Sequence, residues 1–415
     1  LSGVKEIHYR VDGGAELIAS GSTTTVAVPL NGSGAGTVTY YAVDNAGNAE
    51  STNGVALKWD NIAPTVEHTM SPQPHAGGWN KADVTVTFSA KDDDKGSGVL
   101  SVTAPVTVSA ETSGRVVTGT ARDTAGNLGT DSVTVKLDKT APTITGAVTS
   151  GTLTASGWYN GPVTVTFTCA DALSGIATCP DPMVLTANGA NTAAGTATDT
   201  AGNTAQTLVG GIKIDQEKPT LTTASVNVGG GTFTLGAVPA ATCMASDSFS
   251  GLASCTVTVT GGNSNGVGTF AYSATATDKA GNTSTVTGTF RVIYRFDGFL
   301  QPINDTAHQI GASTSVFKAG STVPAKLQLK NASGTAVQAA SAPIWLTPVK
   351  GSAMTAPVDE TVYASAPDSG SEYKFDATAK QYQFNWKTGS ASGNYWRVGV
   401  TFDDGQTYYV NIGLR

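Results

Sequence analysis

A seven-residue phrase, Ala-x-Asp-x-Ala-Gly-Asn, occurs four times, at Ala42 to Asn48, Ala121 to Asn127, Ala197 to Asn203 and Ala276 to Asn282. Its aspartates, Asp44, Asp123, Asp199 and Asp278, stand 79, 76 and 79 residues apart. So regular a period restricts the chain to an array of like units, each the size of a small domain. Locally the phrase reads as a hairpin turn. A β-type run precedes it, glycine supplies a positive φ, and Asp and Asn side chains bond nearby backbone.

Two further phrases keep the period. Asp-x-x-Ser-Gly followed by an aliphatic residue stands at Asp94 to Val99, Asp171 to Ile176 and Asp247 to Leu252. Ser2-Gly3-Val4 reads as the tail of the same phrase, so the first unit is expected to lack roughly 36 residues on its N-terminal side. An apolar residue, then Asp, then Pro-Thr marks the boundaries: Trp59-Asp60 to Pro64-Thr65, Leu137-Asp138 to Pro142-Thr143, and Ile214-Asp215 to Pro219-Thr220. Proline fixes φ and cannot donate to a ladder, which suits the edge where one domain ends and the next begins. The expected domains are 1–60, 61–138, 139–215 and 216–293. A fifth, 294–415, begins where the phrases stop.

Charged residues are 13% and aromatics 7% of the chain, a composition that makes short strands and turns rather than helices. The fold class is therefore all-β: four tandem sandwiches, the first truncated, and a C-terminal antiparallel β domain. Gly3 to Asp44 spans 41 residues against 25, 24 and 27 in the later units, and the surplus holds an added hairpin turning at Asp12-Gly13-Gly14. Val84 to Phe88 and Val163 to Phe167 alternate, which puts Val and Phe on the core face and Thr on the wet one. The last domain carries Trp345, Trp386 and Trp396, a hairpin signal at Asp404-Gly405 and enough apolar strands to fold alone. Its end at Gly413-Leu414-Arg415 reads as a natural C-terminus.

A net charge of -7 without a Lys/Arg cluster argues against nucleic acid, which needs concentrated positive charge. No apolar run reaches transmembrane length. The four cysteines frame the Ser-Gly phrase, Cys169 with Cys179 and Cys243 with Cys255, while Ala90 and Val102 hold both places in the second unit. Both present or both absent is what a bridge within each unit requires, and such bridges imply an extracellular, oxidising compartment. Buried free thiols are the alternative, and the spacing does not suit zinc. His8, His68, His75 and His308 fall in different units, so none is placed by motif beside a nucleophile, and no enzyme is expected. Asp359, Glu360 and Glu372 read as surface carboxylates.

With these phrases in hand, the second to fourth units resemble bacterial immunoglobulin-like repeats of secreted and cell-surface proteins, and the first resembles a longer variant of them. Residues 294–415 resemble the PxKF module of secreted bacterial proteins, through YRFDGFLQPI (Tyr294 to Ile303), KAGSTVPAKL (Lys318 to Leu327, with Leu327 in place of Phe) and YYVNIGLR. The resemblance is specific for fold and does not supply a ligand; the leading reading is a non-catalytic spacer at the C-terminal end of a larger secreted or surface protein, its partners the upstream domains of the same polypeptide. The other reading is a polysaccharide- or cell-wall-binding module whose aromatics, including Trp79 and Trp158, stack on sugar.

One site is expected at the junctions. In an Ig-type sandwich the Asp-x-x-Ser-Gly loop and the final hairpin lie where the chain enters, facing the preceding linker. That gathers Asp60 with Asp94 and Asp123, Asp138 with Asp171 and Asp199, and Asp215 with Asp247 and Asp278. Such trios are either solvated turn caps, requiring no cofactor, or ligands sharing a hard cation such as calcium.

Overall fold

The alternation in Val84–Lys91 decides which way that strand faces. Val84 and Val86 are fully buried, Phe88 nearly so, and Thr87 between them is exposed. The computed structural model that shows this describes residues 2–27, 31–360, 362–363 and 365–415. It divides into two compact units. One comprises the chain through Ser150 with Thr164–Leu185 and Thr192–Gly211; the other comprises Gly151–Val163, Thr186–Asn191 and Ile212–Arg415. The only helical element among the described residues is a single 3-10 turn, Thr223–Ser225.

In the first unit, residues 4–60 form one antiparallel sheet in the order Leu17–Ser20, Val4–Val11, Ser33–Asp44, Asn53–Asp60. The expected extra hairpin is there, turning through Asp12 and Gly13, both at positive φ. The second repeat is a sandwich. Thr65–Ser71, Val84–Lys91 and Val106–Val108 make one sheet; Leu128–Leu137, Thr112–Asp123 and Val99–Val102 make the other. Between them Val84, Val86, Phe88, Val108, Val117, Val135 and Leu137 close a core drawn from this repeat alone. A Cβ at Gly119 would come within 2.3 Å of the Phe88 ring, and only glycine lets the ring reach the opposite backbone. Gly195 makes the same room for Phe167 in the third repeat.

The bond between Cys169 and Cys179 forms as expected and ties two sheets together, because Cys169 lies in the strand beside Thr143–Ser150 and Cys179 follows Ile176–Thr178. Cys243 and Cys255 are likewise bonded in the second unit.

In that second unit the fourth repeat keeps one sheet, in the order Thr232–Thr234, Thr283–Ile293, Gly268–Asp278, Leu252–Gly261. Isolated bridges, Thr220 with Ser246 and Val226 with Cys243, stand where further ladders would be. The Gly triplet belongs to this change: a Cβ at Gly229 would come within 2.8 Å of the buried Tyr272 hydroxyl. Residues 295–414 form two sheets. One runs Arg295–Leu300, Thr322–Lys330, Gln381–Lys387, Lys374–Asp376; the other runs Val316–Phe317, Thr407–Leu414, Asn394–Thr401, Ile344–Ala353.

Two features of the C-terminal region go beyond those expectations. The C-terminal sheets are not purely antiparallel, since Val316 and Phe317 run parallel to Gly413 and Leu414. Far apart in sequence, these segments are under no hairpin constraint. Nor does residue 294 begin a separate core. One apolar cluster runs from Val226, Val228 and Phe290 through Val292 and Tyr294 to Phe299, Leu327, Val398 and Leu414.

Replacing Cys169 and Cys179 together by alanine is expected to cost about 3 kcal/mol, the loop-closure value for a bridge of this span. Calorimetry should show one transition moved down, and reduction of the native chain, which also opens Cys243–Cys255, should move a second one as well. Unreduced peptide maps that lack either bridge would contradict the pairing.

Candidate metal centre at the repeat junctions

Each linker aspartate is bonded forward into the repeat that follows it. Asp138 Oδ1 accepts from Thr140 N–H at 3.0 Å, which shapes the linker, and its Oδ2 accepts from Ser174 N–H at 3.0 Å in the Asp-x-x-Ser-Gly loop. Asp171 Oδ1 caps that same loop through Leu173 N–H and Gly175 N–H. Asp199 starts the Ala-Gly-Asn turn, taking Asn203 N–H on Oδ1 and Asn203 Nδ2 on Oδ2, each at 2.8 Å. Asn203 Nδ2 also donates to the Asp138 carbonyl at 2.9 Å. The turn phrase is thus a strap as well as a turn.

The wiring recurs residue for residue. Asp215 accepts from Glu217 N–H and Ser250 N–H, Asp247 from Phe249 N–H and Gly251 N–H, and Asp278 from Asn282, whose Nδ2 reaches the Asp215 carbonyl. In each trio one carboxylate oxygen of each residue lies within 4.8 Å of the other two. Asp138, Asp199, Asp215 and Asp278 are almost wholly buried. Asp171 Oδ2 and Asp247 Oδ2 have no hydrogen-bond partner among the described residues.

The first junction departs from expectation. Asp60 accepts from Ile62 N–H and Ser97 N–H, and the Ser97 bond is the main influence holding its carboxyl below the ordinary value. Asp123 is buried and wired to Asn127, whose Nδ2 donates to the Asp60 carbonyl at 3.1 Å. Asp94, however, is not part of the cluster: its side chain is 95% exposed and faces Lys91. Asp92 takes the expected place, with Oδ2 accepting from Gly98 N–H at 2.7 Å, and the convergent trio is Asp60, Asp92 and Asp93. The loop here is two residues longer than its counterparts, so a motif counted back from Gly98 lands on the wrong aspartate. Asp93 Oδ1 is buried without a partner, while Oδ2 meets Ser33 Oγ and Lys95 N–H. The sequence signal for Asp92 was its position directly after the strand Val84–Lys91, the place Asp171 holds after Val163–Ala170.

A second contact braces the junctions. A Cβ at Gly77 would strike Thr200, Lys81 Nζ donates to the Gly202 carbonyl, and Thr154 and Ser156 both bond the Lys279 carbonyl. The tryptophans nearby are packing residues. Trp79 is 8% exposed under Lys136, and Trp158 sits under Lys213 in the same way. In the C-terminal region Trp345 is buried on Phe384, and Trp386 and Trp396 are tilted 58° to each other. Of the histidines, His8 lies between Glu6 and Glu16, His68 pairs with Asp131 and His308 with Asp305. Asp359 caps Val316 N–H, and burial raises the Glu360 carboxyl.

No family model and no curated protein matches the chain. Among solved structures it is similar to a tetra-tandem repeat from the extending region of a large adhesion protein, at 14% identity and a TM-score of 0.17, covering 100% of this chain and 93% of that one. It is also similar to the Escherichia coli adhesin FdeC, at 14% identity, TM-score 0.20, 85% of this chain and 98% of that one. The protocadherin GammaB4 extracellular domain is another, at 12% identity, TM-score 0.24, 98% of this chain and 76% of that one.

Asn203→Ala removes the strap and leaves the Asp138 carbonyl and Asp199 Oδ2 short of a donor, at an expected cost of about 1–3 kcal/mol in chemical denaturation. Asn48→Ala, where Nδ2 reaches only the half-buried Asp44 and no linker, should cost clearly less. Equal losses would mean that the bond to the linker contributes nothing.

Asp44 itself is held down to about 2, chiefly by the Asn48 side chain. Its folded pKa lies below the ordinary carboxylate value of about 4. The stability it contributes is therefore complete above that value and lost as pH falls through about 2. A carboxyl-carbon NMR titration should find it among the last aspartates to protonate.

Proposed function

We propose that this chain is a non-catalytic extracellular spacer of a secreted or surface protein, whose junction carboxylates bind calcium and hold successive repeats together. The observation that carries this reading is the junction wiring repeated at Asp138 and Asp215 with the same partner types at the same positions. A catalytic site has no reason to recur at every joint; a load-bearing connector does. The two disulfides favour an oxidising compartment outside the cytoplasm. No helix among the described residues is long and apolar enough to cross a membrane.

The donor set suits a hard cation. Calcium takes oxygen ligands at about 2.4 Å, so two ligands across it stand nearly 5 Å apart, close to the 4.8 Å limit within which these oxygens converge. Two negative carboxylates at that distance repel by about 3 kcal/mol at an effective dielectric constant near 20. Backbone N–H groups offset part of this; the unpartnered Oδ2 atoms of Asp171 and Asp247, and the orphaned Asp93 Oδ1, are where a cation would offset the rest. Extracellular calcium sites of this kind have dissociation constants of about 0.1–1 mM.

Isothermal titration of calcium into the whole chain should show saturable binding in that range with a rise in Tm. Asp171→Asn and Asp247→Asn should each remove one site. No heat and no change in Tm at several millimolar calcium would leave the trios as turn caps alone.

A further inference from the structure

The link after the fourth repeat differs in kind from those before it. Each earlier linker places three residues between its Asp and its Pro, whereas Thr283–Ile293 and Arg295–Leu300 are separated by Tyr294 alone. That residue is 1% exposed, and its N–H donates to Asp404 Oδ2 at 2.8 Å. Arg291 Nη2 donates to the Asp404 carbonyl at 2.9 Å, Asn263 Nδ2 to Asp403 Oδ2 at 2.9 Å, and Ala332 N–H to the Leu235 carbonyl at 2.8 Å. Two loops and a strand end of the repeat therefore meet the 331–338 segment and the 402–406 hairpin of the C-terminal module.

Apolar packing follows the same path. Val226, Val228 and Phe290 belong to one continuous cluster with Phe299, Phe402 and Val410, with Tyr294 within it. The second repeat, by contrast, closes its core without help from either neighbour. Asp404 is 2% exposed and its pKa is raised by that burial, so its carboxyl is tolerable only while the N–H groups of Tyr294 and Gln406 remain in place. Separated at residue 294, each half would expose part of a shared core, and the module would lose Arg291 and Asn263 as donors.

We propose that residues 216–415 are one cooperative folding unit, in which the fourth repeat is the docking surface that completes the C-terminal β module and no hinge exists at Tyr294. Anything the module contacts is then presented at a fixed angle to the fourth repeat. Tension along the chain reaches the module only through a core the two share. This is independent of calcium binding at the junctions and of the spacer reading.

Native-state hydrogen exchange on the whole chain in sub-denaturing urea tests it. The amides of Gly268–Asp278 in the repeat and Gln381–Lys387 in the module should exchange through a common opening. Val398→Ala, deep in the module, should accelerate both sets by the same factor, on the order of tenfold or more. Acceleration confined to Gln381–Lys387, with Gly268–Asp278 unchanged, would overturn the proposal. If that variant does not fold, Ile412→Val is read in the same way, with a smaller factor still required to be equal in both strands.

Discussion

The aspartate that ends a repeat sends its carboxylate forward. Asp138 and Asp215 each place one oxygen on a linker N–H and the other on the Ser N–H of the next repeat's loop, while the carbonyl of the same residue takes the Asn side chain of the next repeat's turn. One residue thereby fixes the linker, the loop and the turn. These are charge-assisted bonds among buried groups, which are stronger than neutral ones and leave unpaired charge if broken. The geometry of each joint follows from that single residue, and so does the convergence of three carboxylates around it.

The turn phrase gains a second meaning from this. Gly126, Gly202 and Gly281 supply the positive φ that the turn needs, and that much is local. Asn127, Asn203 and Asn282 would satisfy the turn with their backbone N–H alone; their side chains cross to the preceding linker. The turn explains the Gly; the Asn side chain serves the Asp of its own turn in all four phrases and the preceding linker in the last three. Trp79 and Trp158 lie under the ammonium groups of Lys136 and Lys213, and Trp345 is part of the core.

The core of the second repeat and the core of residues 216–415 are built by opposite means. In the second repeat, strict alternation along Val84–Lys91 and Thr112–Asp123 supplies two inner faces that meet. The fourth repeat has a single sheet and loses part of the second face to bridges and glycine turns, and its apolar side chains are continuous with those of the module beyond Tyr294. Small domains bury too little surface to be generously stable alone, and sharing a core is one remedy. A disulfide is another, and the fourth repeat has both.

By itself the sequence determined what is periodic or local: the all-β class, the alternating core strands, the hairpins at Asp12-Gly13 and Asp404-Gly405, the two cysteine pairs, and the meeting of loop, turn and linker aspartate at each joint. Short-range sterics and a period of two leave a chain little choice about these. It grouped Asp94 and Asp123 with Asp60, whereas the oxygens that converge there are those of Asp60, Asp92 and Asp93; the motif counted back from Gly98 ignores a loop two residues longer than its counterparts. Only the tertiary structure decided which carboxylate oxygens converge, that Val316 joins a strand almost a hundred residues away, and that Tyr294 lies inside a core instead of between two. Each of those depends on surfaces brought together from distant parts of the chain, and no local preference encodes a contact whose partner is supplied by another repeat.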